Sequence, residues 1–369
     1  MMAGAIPFID LQAQRARIDA SVRRRMDAVI ESGAFINGPE IARLEAELSR
    51  FTGAPHAIAC ANGTDALQIA LMAIGLQPGD EVITPSFTFI ATAEAIAVLG
   101  GRPVFVDVDA KTFNIDPALI EAKITPRTRA IMPVSLYGQC ADMDAIQAIA
   151  DRHGLIVIED AAQSFGAAYK GRRSCNLSKI ACTSFFPSKP LGCYGDGGMV
   201  FTQDAALAER LRMIRGHGSK KRYYHEVVGV NSRLDTLQAA VLLAKMEIFE
   251  DEIARRQQVA SRYEKFLSPF VETPRIESHN ISVYAQYTVR VRDRERIMKS
   301  LDSSGIPTTV HYPMALNLQP AMRSYGQAEG TCPISERAGG EVMSLPFHPY
   351  LDEGSQLRVA TALRSALGG

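Results

Sequence analysis

Leu155-Ile-Val-Ile-Glu-Asp160 is a continuous apolar run that ends on two carboxylates. A strand that is apolar at consecutive positions is buried on both faces, the condition of a parallel strand in a sheet covered by helices on either side. Comparable short runs occur at residues 56–60, 81–84, 104–107 and 130–134, with helical stretches such as 143–150 between them. That alternation specifies an α/β fold, a mostly parallel sheet with right-handed crossovers. The carboxyl ends of such strands line the ligand crevice, so Asp160 is expected to point into it.

Next comes Ala181-Cys-Thr-Ser-Phe-Phe-Pro-Ser-Lys-Pro-Leu-Gly-Cys-Tyr-Gly-Asp-Gly-Gly198, whose lysine, Lys189, lies 29 residues after Asp160. Pro187 and Pro190 fix their own φ angles and push Phe186 and Lys189 toward extended geometry, so one lysine is presented from a turn of little freedom. Residues 180–186 and 199–201 read as neighbouring buried strands on either side, and the glycines from Gly192 to Gly198 let the chain reverse between them and approach a ligand closely. A solvated surface charge is the ordinary fate of a lysine. A lysine on such a loop, paired with a buried carboxylate, is instead what pyridoxal phosphate requires. The amine forms the Schiff base, and the carboxylate keeps the pyridine nitrogen protonated.

Two further features fit that chemistry. Asn62-Gly-Thr-Asp-Ala-Leu opens a helix directly after the run 56–60, so Gly63 and Thr64 can offer free N–H groups and a hydroxyl to a phosphate. Asn62 or Thr64 can equally be a plain N-cap. Phe87 and Phe89 lie where the run 81–84 turns into a helix; either can stack on a flat ring or simply fill the core.

Length and composition bound the alternatives. At 369 residues, 47% hydrophobic and 22% charged, the chain reads as a globular protein with a large domain and a smaller companion. Its formal net charge is zero and its basic triplets, such as residues 23–25 and 220–222, are short. Neither nucleic acid nor an anionic membrane is indicated as a partner. The first ten residues lack the basic and apolar regions of a secretory signal, and no run reaches the length of a membrane span. The six cysteines, at 60, 140, 175, 182, 193 and 332, have no metal-ligand spacing. They read as free thiols of a cytoplasmic enzyme, with no metal site expected.

Before the alternating region, residues 13–31 form a helix stopped by Gly33, and Pro39 opens a second. Beyond Lys189, a helix over 205–214 leads to Gly229-Val-Asn-Ser-Arg-Leu-Asp235. Ser232 and Asp235 read as a capping pair, with Asn231 at the start of the long helix that follows. The alternation fades near Phe249, which divides the chain into a large domain over 1–249 and a small α+β domain over 250–369. The latter should hold extended segments at 282–291 and 308–311 and a last helix over Glu353–Leu367.

Five motifs in order, Asn62-Gly-Thr-Asp-Ala-Leu, Asp80-Glu-Val-Ile-Thr-Pro, Ile158-Glu-Asp-Ala-Ala-Gln-Ser-Phe-Gly166, Ser184-Phe-Phe-Pro-Ser-Lys-Pro-Leu-Gly and Asn231-Ser-Arg-Leu-Asp, resemble the DegT/DnrJ/EryC/StrS family of nucleotide-sugar aminotransferases. The resemblance spans nearly the whole chain and implies the type I, aspartate aminotransferase-like fold. Leu136-Tyr-Gly-Gln-Cys-Ala-Asp, Ser282-Val-Tyr-Ala-Gln-Tyr-Thr-Val-Arg and Met343-Ser-Leu-Pro are similar to the members that act on UDP-2-acetamido-2-deoxy-3-oxo-glucuronate in bacterial O-antigen and lipopolysaccharide synthesis.

Carried over by position, the resemblance makes Lys189 the Schiff-base lysine, Asp160 the partner of the pyridine nitrogen and Gln163 a contact to the cofactor's ring hydroxyl. Phe89 becomes the stacking aromatic. Gly63, Thr64 and Ser184 hold the phosphate, helped by Asn231 from the second subunit of a homodimer, while Arg233, His311 and Tyr312 approach the sugar. For Arg233 an ordinary ion pair with Asp235 is the alternative.

The implied reaction has two halves. L-Glutamate leaves its amino group on the cofactor, giving pyridoxamine phosphate, and a UDP-linked 3-keto sugar then takes it up. Transfer to C4 of another keto nucleotide sugar is the nearest alternative. Two rivals are a pyridoxamine phosphate-dependent dehydratase, in which histidine replaces the lysine, and a ligand-sensing regulator, which needs a DNA-binding segment. Lys189 opposes the first, and no helix-turn-helix module or basic face serves the second.

Overall fold

The computed structural model describes residues 6–325 and 328–368; the first five residues of the N-terminal stretch read above lie outside them. Its centre is a seven-stranded sheet built from β1 (His56–Cys60), β2 (Glu81–Pro85), β3 (Arg102–Val106), β4 (Thr128–Ile131), β5 (Ile156–Asp160), β8 (Ile180–Ser184) and β9 (Gly198–Thr202). A short hairpin of β6 (Ala168–Tyr169) and β7 (Arg172–Arg173) lies outside it. The order across the sheet is β1-β9-β8-β5-β4-β2-β3. β9 is antiparallel to both its neighbours, and every other pairing is parallel.

Alternation along these strands separates two cores. Ala57, Ala59, Val157, Ala181, Met199 and Phe201 join the cluster that includes residues of α2 (Pro39–Thr52) and α5 (Met143–His153). Ile58, Cys60, Ile158, Ile180, Cys182 and Val200 join the opposite one, with α3 (Gly63–Ala73), α4 (Ala91–Val98) and α6 (Ala205–Arg215). The period of two along a strand makes both faces apolar, which is why these stretches read as unbroken runs. Before the sheet, α1 (Leu11–Ser32) ends on Gly33, whose φ of 66° suits glycine. All six cysteines are free and buried.

A second hairpin, β10 (Ser219–Lys221) with β11 (Tyr224–His225), precedes the 32-residue α7 (Thr236–Leu267). The expected division after residue 249 falls inside α7. The N-terminal half of this helix packs on the sheet through Ala239, Leu242 and Phe249. Its C-terminal half, through Val259, Tyr263 and Leu267, packs on a third core. That core gathers α8 (Arg294–Ser303), α10 (Glu353–Leu367) and the antiparallel pair β13 (Tyr287–Arg290) and β14 (Val342–Leu345). Ahead of β13, β12 (Asn280–Ile281) pairs with β6, and α9 (Pro333–Glu341) precedes β14. Among the described residues no helix is long and apolar enough to cross a membrane.

The start of α7 differs from the reading above. Asp235 is the N-cap residue but its side chain makes no capping bond, and the buried Ser232 instead accepts from the Ala61 amide. Thr236 N donates to Phe35 O, and Gly38 N donates to the Thr236 hydroxyl. The N-terminal segment therefore takes over the capping. Asn231 stands five residues before the helix, bridged to Gly216, so it is not part of that first turn.

Gly198, at the entry to β9, is held by contact: a Cβ there would lie 2.3 Å from the carbonyl oxygen of Asn62. Gly198→Ala should lower the melting temperature by several degrees and weaken phosphate-ligand retention, because β9 and the start of α3 must part. Thermal unfolding with and without pyridoxal phosphate checks this, and an unchanged midpoint would refute the close packing.

Candidate active site

Four strand ends converge on one cavity of about 660 Å³ at the carboxyl edge of the sheet. After β1 come Asn62, Gly63 and Thr64; after β2, Thr88 and Phe89; β5 ends on Asp160, with Gln163 beyond it; β8 ends on Ser184, with Lys189 beyond it. His311 and Tyr312 close the cavity from the C-terminal part of the chain. Nine of the residues singled out from sequence thus share one space. Asn231 and Arg233 do not: they line an adjoining cleft of about 530 Å³ that shares Asn62 and Asp196 with the main cavity.

Asp160 is buried. Its Oδ2 accepts from the Thr92 hydroxyl at 2.8 Å and its Oδ1 from the Ala162 amide at 3.1 Å. Burial raises its pKa, while Thr92, Ala162 and the charge of Lys189 pull the other way. Lys189 sits in a turn closed by its own N–H to Phe186 O at 2.9 Å. Burial lowers the pKa of its amine, and Asp160 opposes that shift. Gly192 allows the turn to fold on itself, since a Cβ there would lie 2.6 Å from the carbonyl oxygens of Phe186 and Pro187.

At the other end of the cavity, Asn62 is the N-cap of α3 and its side chain accepts from Asp65 N at 2.8 Å. The cap and the anion site coexist, because the N–H groups of Gly63 and Thr64 have no acceptor within the helix. Gly63 packs against Ser184 so closely that a Cβ would meet the serine Cβ at 2.6 Å. The resulting cup offers amides, two hydroxyls and a helix N-terminus to a dianion.

The aromatic alternatives separate cleanly. Phe87 is fully buried beside Phe113, whereas Phe89 is 51% exposed, lines the cavity and lies 5.9 Å from the Tyr312 ring. Gln163 has both ends of its amide in use: Oε1 accepts from Tyr137 N at 2.8 Å and Nε2 donates to the Tyr312 hydroxyl at 3.1 Å, which leaves one N–H and one lone pair for a ligand. The Tyr137 hydroxyl in turn donates to His311 O. His311 Nδ1 is 2.9 Å from Ser344 Oγ. Among the described residues Arg233 forms no ion pair with Asp235, and its buried Nε has no partner.

Thr92, Tyr137 and Gln286 line or support the site without having been singled out by sequence reasoning. No spacing rule could find Thr92, which meets Asp160 across 68 positions. Tyr137 left one faint signal, the glycine that follows it in a polar turn.

The set fits pyridoxal 5′-phosphate: a cup for the phosphate, an exposed aromatic face, a buried carboxylate and an amine at one wall. Residues 16–364 match the DegT/DnrJ/EryC1/StrS aminotransferase family. The chain belongs to that family, and its cofactor is pyridoxal phosphate. It is 59% identical to the UDP-2-acetamido-2-deoxy-3-oxo-D-glucuronate aminotransferase of Pseudomonas aeruginosa, over 97% of this chain and 99% of that protein. A DegT/DnrJ/EryC1/StrS aminotransferase from Brucella abortus superposes with a TM-score of 0.96 at 44% identity, covering 99% of this chain and 100% of the other. NtdA from Bacillus subtilis, solved with bound pyridoxamine phosphate, superposes at 0.92 with 32% identity over 100% and 86% of the two chains. The type I aminotransferase fold expected from sequence is therefore present, and the chain is an enzyme.

Burial and the charge of Lys189 lower the pKa of His311 to about 4. The imidazole is then neutral from about pH 5.5 to 8, so rate profiles across that window should show no limb near the usual histidine value. A limb near about pH 6.5 that disappears in His311→Gln would overturn this.

Proposed function

We propose that the enzyme transfers the amino group of L-glutamate to the C3 keto group of a UDP-linked 2-acetamido-2-deoxy-3-oxo-hexuronate. The product is a 2,3-diamino sugar nucleotide for O-antigen and lipopolysaccharide synthesis in the cytoplasm. The observation that carries this reading is the 59% identity, over almost the entire length of both chains, to the Pseudomonas protein of that activity.

Bound pyridoxal phosphate supplies an electron sink for the charge left at the substrate's α-carbon. Asp160 would hold a proton at the pyridine nitrogen, its carboxylate oriented by the bonds from Thr92 and Ala162. Lys189 anchors the cofactor and, once released, takes the proton from the donor's α-carbon. Burial lowers its pKa, which favours the free amine that must accept the proton. Gly63, Thr64 and Ser184 hold the phosphate, Phe89 stacks on the ring, and Gln163 faces its hydroxyl. His311 and Tyr312 approach the sugar, with Arg233 reaching its carboxylate.

L-Glutamate should discharge 2-oxoglutarate from the loaded enzyme in a single turnover. Among keto nucleotide sugars, the UDP-3-oxo-hexuronate should show the highest kcat/KM, by about tenfold or more over a 4-keto sugar. A preference for the 4-keto sugar would transfer the assignment to C4 chemistry.

We further propose that each site is shared by two subunits of a homodimer. Asn231 is exposed and Arg233 keeps an unpartnered Nε, both outside the cavity of their own chain. Large apolar side chains stand exposed beside them: Ile36 in the same cleft, Phe89 and Phe186 at the main cavity. Such a rim calls for a cover, and a second copy would bring its Asn231 to this chain's phosphate cup. Lys189→Ala and Asn231→Ala, each nearly inactive, should complement when refolded together. Random pairing makes half the dimers mixed, and one site in each is intact, so about a quarter of all sites should recover activity. No recovery despite demonstrated exchange would place Asn231 in its own chain's site.

A further inference from the structure

Two stretches with no assigned chemistry, residues 136–142 and 282–290, pack against each other beside the cavity. Val283 N donates to Gly138 O at 3.0 Å, and a Cβ on Gly138 would lie 2.6 Å from Tyr284 N. Three residues of this platform have left-handed backbone: Tyr137 at φ 55°, Gly138 at 99° and Tyr284 at 45°. Two of these are bulky residues in a region they disfavour, so the platform maintains local strain next to the site.

That platform presents Gln286 to the cavity wall. Among the described residues its amide forms no hydrogen bond, and Oε1 is buried without a donor. Gln163, across the same cavity, has both ends of its amide engaged. An unpaired buried amide oxygen is unfavourable, and its presence at a ligand cavity points to a partner that arrives with the ligand. A change of rotamer would carry Oε1 to the cavity, whereas turning the terminal amide alone would only exchange Oε1 for Nε2 in the buried position.

The chemistry of the two substrates separates them. Apart from its reacting amine, glutamate offers only carboxylates, which accept and do not donate. A sugar offers hydroxyls and, in a 2-acetamido sugar, an N–H. We propose that Gln286 is a specificity-determining residue of the acceptor half-reaction, its amide oxygen accepting from a hydroxyl or the acetamido N–H of the keto sugar. This rests on the nucleotide-sugar reading above.

The test compares Gln286→Leu with the wild-type holoenzyme on whichever keto nucleotide sugar the wild type turns over. If that sugar is not the 3-oxo-hexuronate, the substrate assignment fails while the reading of Gln286 is still measured. The acceptor KM should rise about tenfold, as for a lost hydrogen bond that strands a substrate donor. Single-turnover release of 2-oxoglutarate from glutamate should stay within about twofold, and the melting temperature should hold or rise, since leucine leaves no unpaired polar atom. Equal loss in both half-reactions, an unchanged acceptor KM, or a fall in melting temperature would each overturn the proposal. Gln286→Met, closer in length, repeats the measurement if the leucine variant does not fold. Failure of both to fold would also overturn it, because it would make the amide a structural group.

Discussion

The burial of one negative charge at the end of β5 organises this molecule. A carboxylate taken from water is costly unless hydrogen bonds and an opposite charge replace its hydration. Thr92 and Ala162 provide the hydrogen bonds to Asp160, and Lys189 provides the charge. Lys189 is itself disfavoured by burial and relieved by Asp160. Each group lessens the cost of the other, so the end of β5 and the turn after β8 are held as one unit. A site that must change its charge state during turnover keeps this cost low by letting a bound ligand take the place of either partner.

The reversed strand β9 follows from the same requirement. Parallel neighbours need a crossover connection, whereas an antiparallel one can be reached by a direct loop. Because β9 runs back beside β8, the chain between Ser184 and Gly198 stays at the carboxyl edge, where Asp160 ends. Glu159, one position earlier, is committed to the opposite face, accepting from Ser174 Oγ and the amides of Cys175 and Leu177. Successive carboxylates on one strand thus serve different tasks, Glu159 pinning a loop and Asp160 facing the cavity. Strand periodicity alone enforces that division.

The parts legible in the sequence were those set by local rules. Buried strands, the lysine turn with its two prolines, and the polar start of α3 are written in contiguous residues, and they brought Lys189, Asp160, Gly63 and Thr64 together. The direction of β9 was legible as well: the glycines between Gly192 and Gly198 let the chain reverse, and β9 runs antiparallel to β8. The capping of α7 was misread, since the Phe35 carbonyl takes the role the local motif offered to Ser232 and Asp235, accepting from Thr236 N. Thr92, Tyr137 and Gln286 were missed because their roles depend on contacts across the fold. The choice between Phe87 and Phe89 needed burial, which two aromatics two residues apart cannot reveal.

Charge and neutrality are distributed unequally around the cavity. The two charged groups Asp160 and Lys189 stand on the sheet and its loops, whereas the C-terminal part contributes His311, Tyr312 and Gln286, all uncharged near neutral pH. These groups are tied back without charges: Tyr137 joins Gln163 to His311, and Gln163 joins Tyr312, closing a ring of hydrogen bonds between the sheet edge and the last third of the chain. An anionic wall would repel both a dicarboxylate and a nucleotide sugar, and a cationic one would hold both too firmly for either to leave. A neutral wall of donors and acceptors discriminates by direction instead. It leaves the strong electrostatics to the one place where a proton must be held, and lets two unlike anions use the same space in turn.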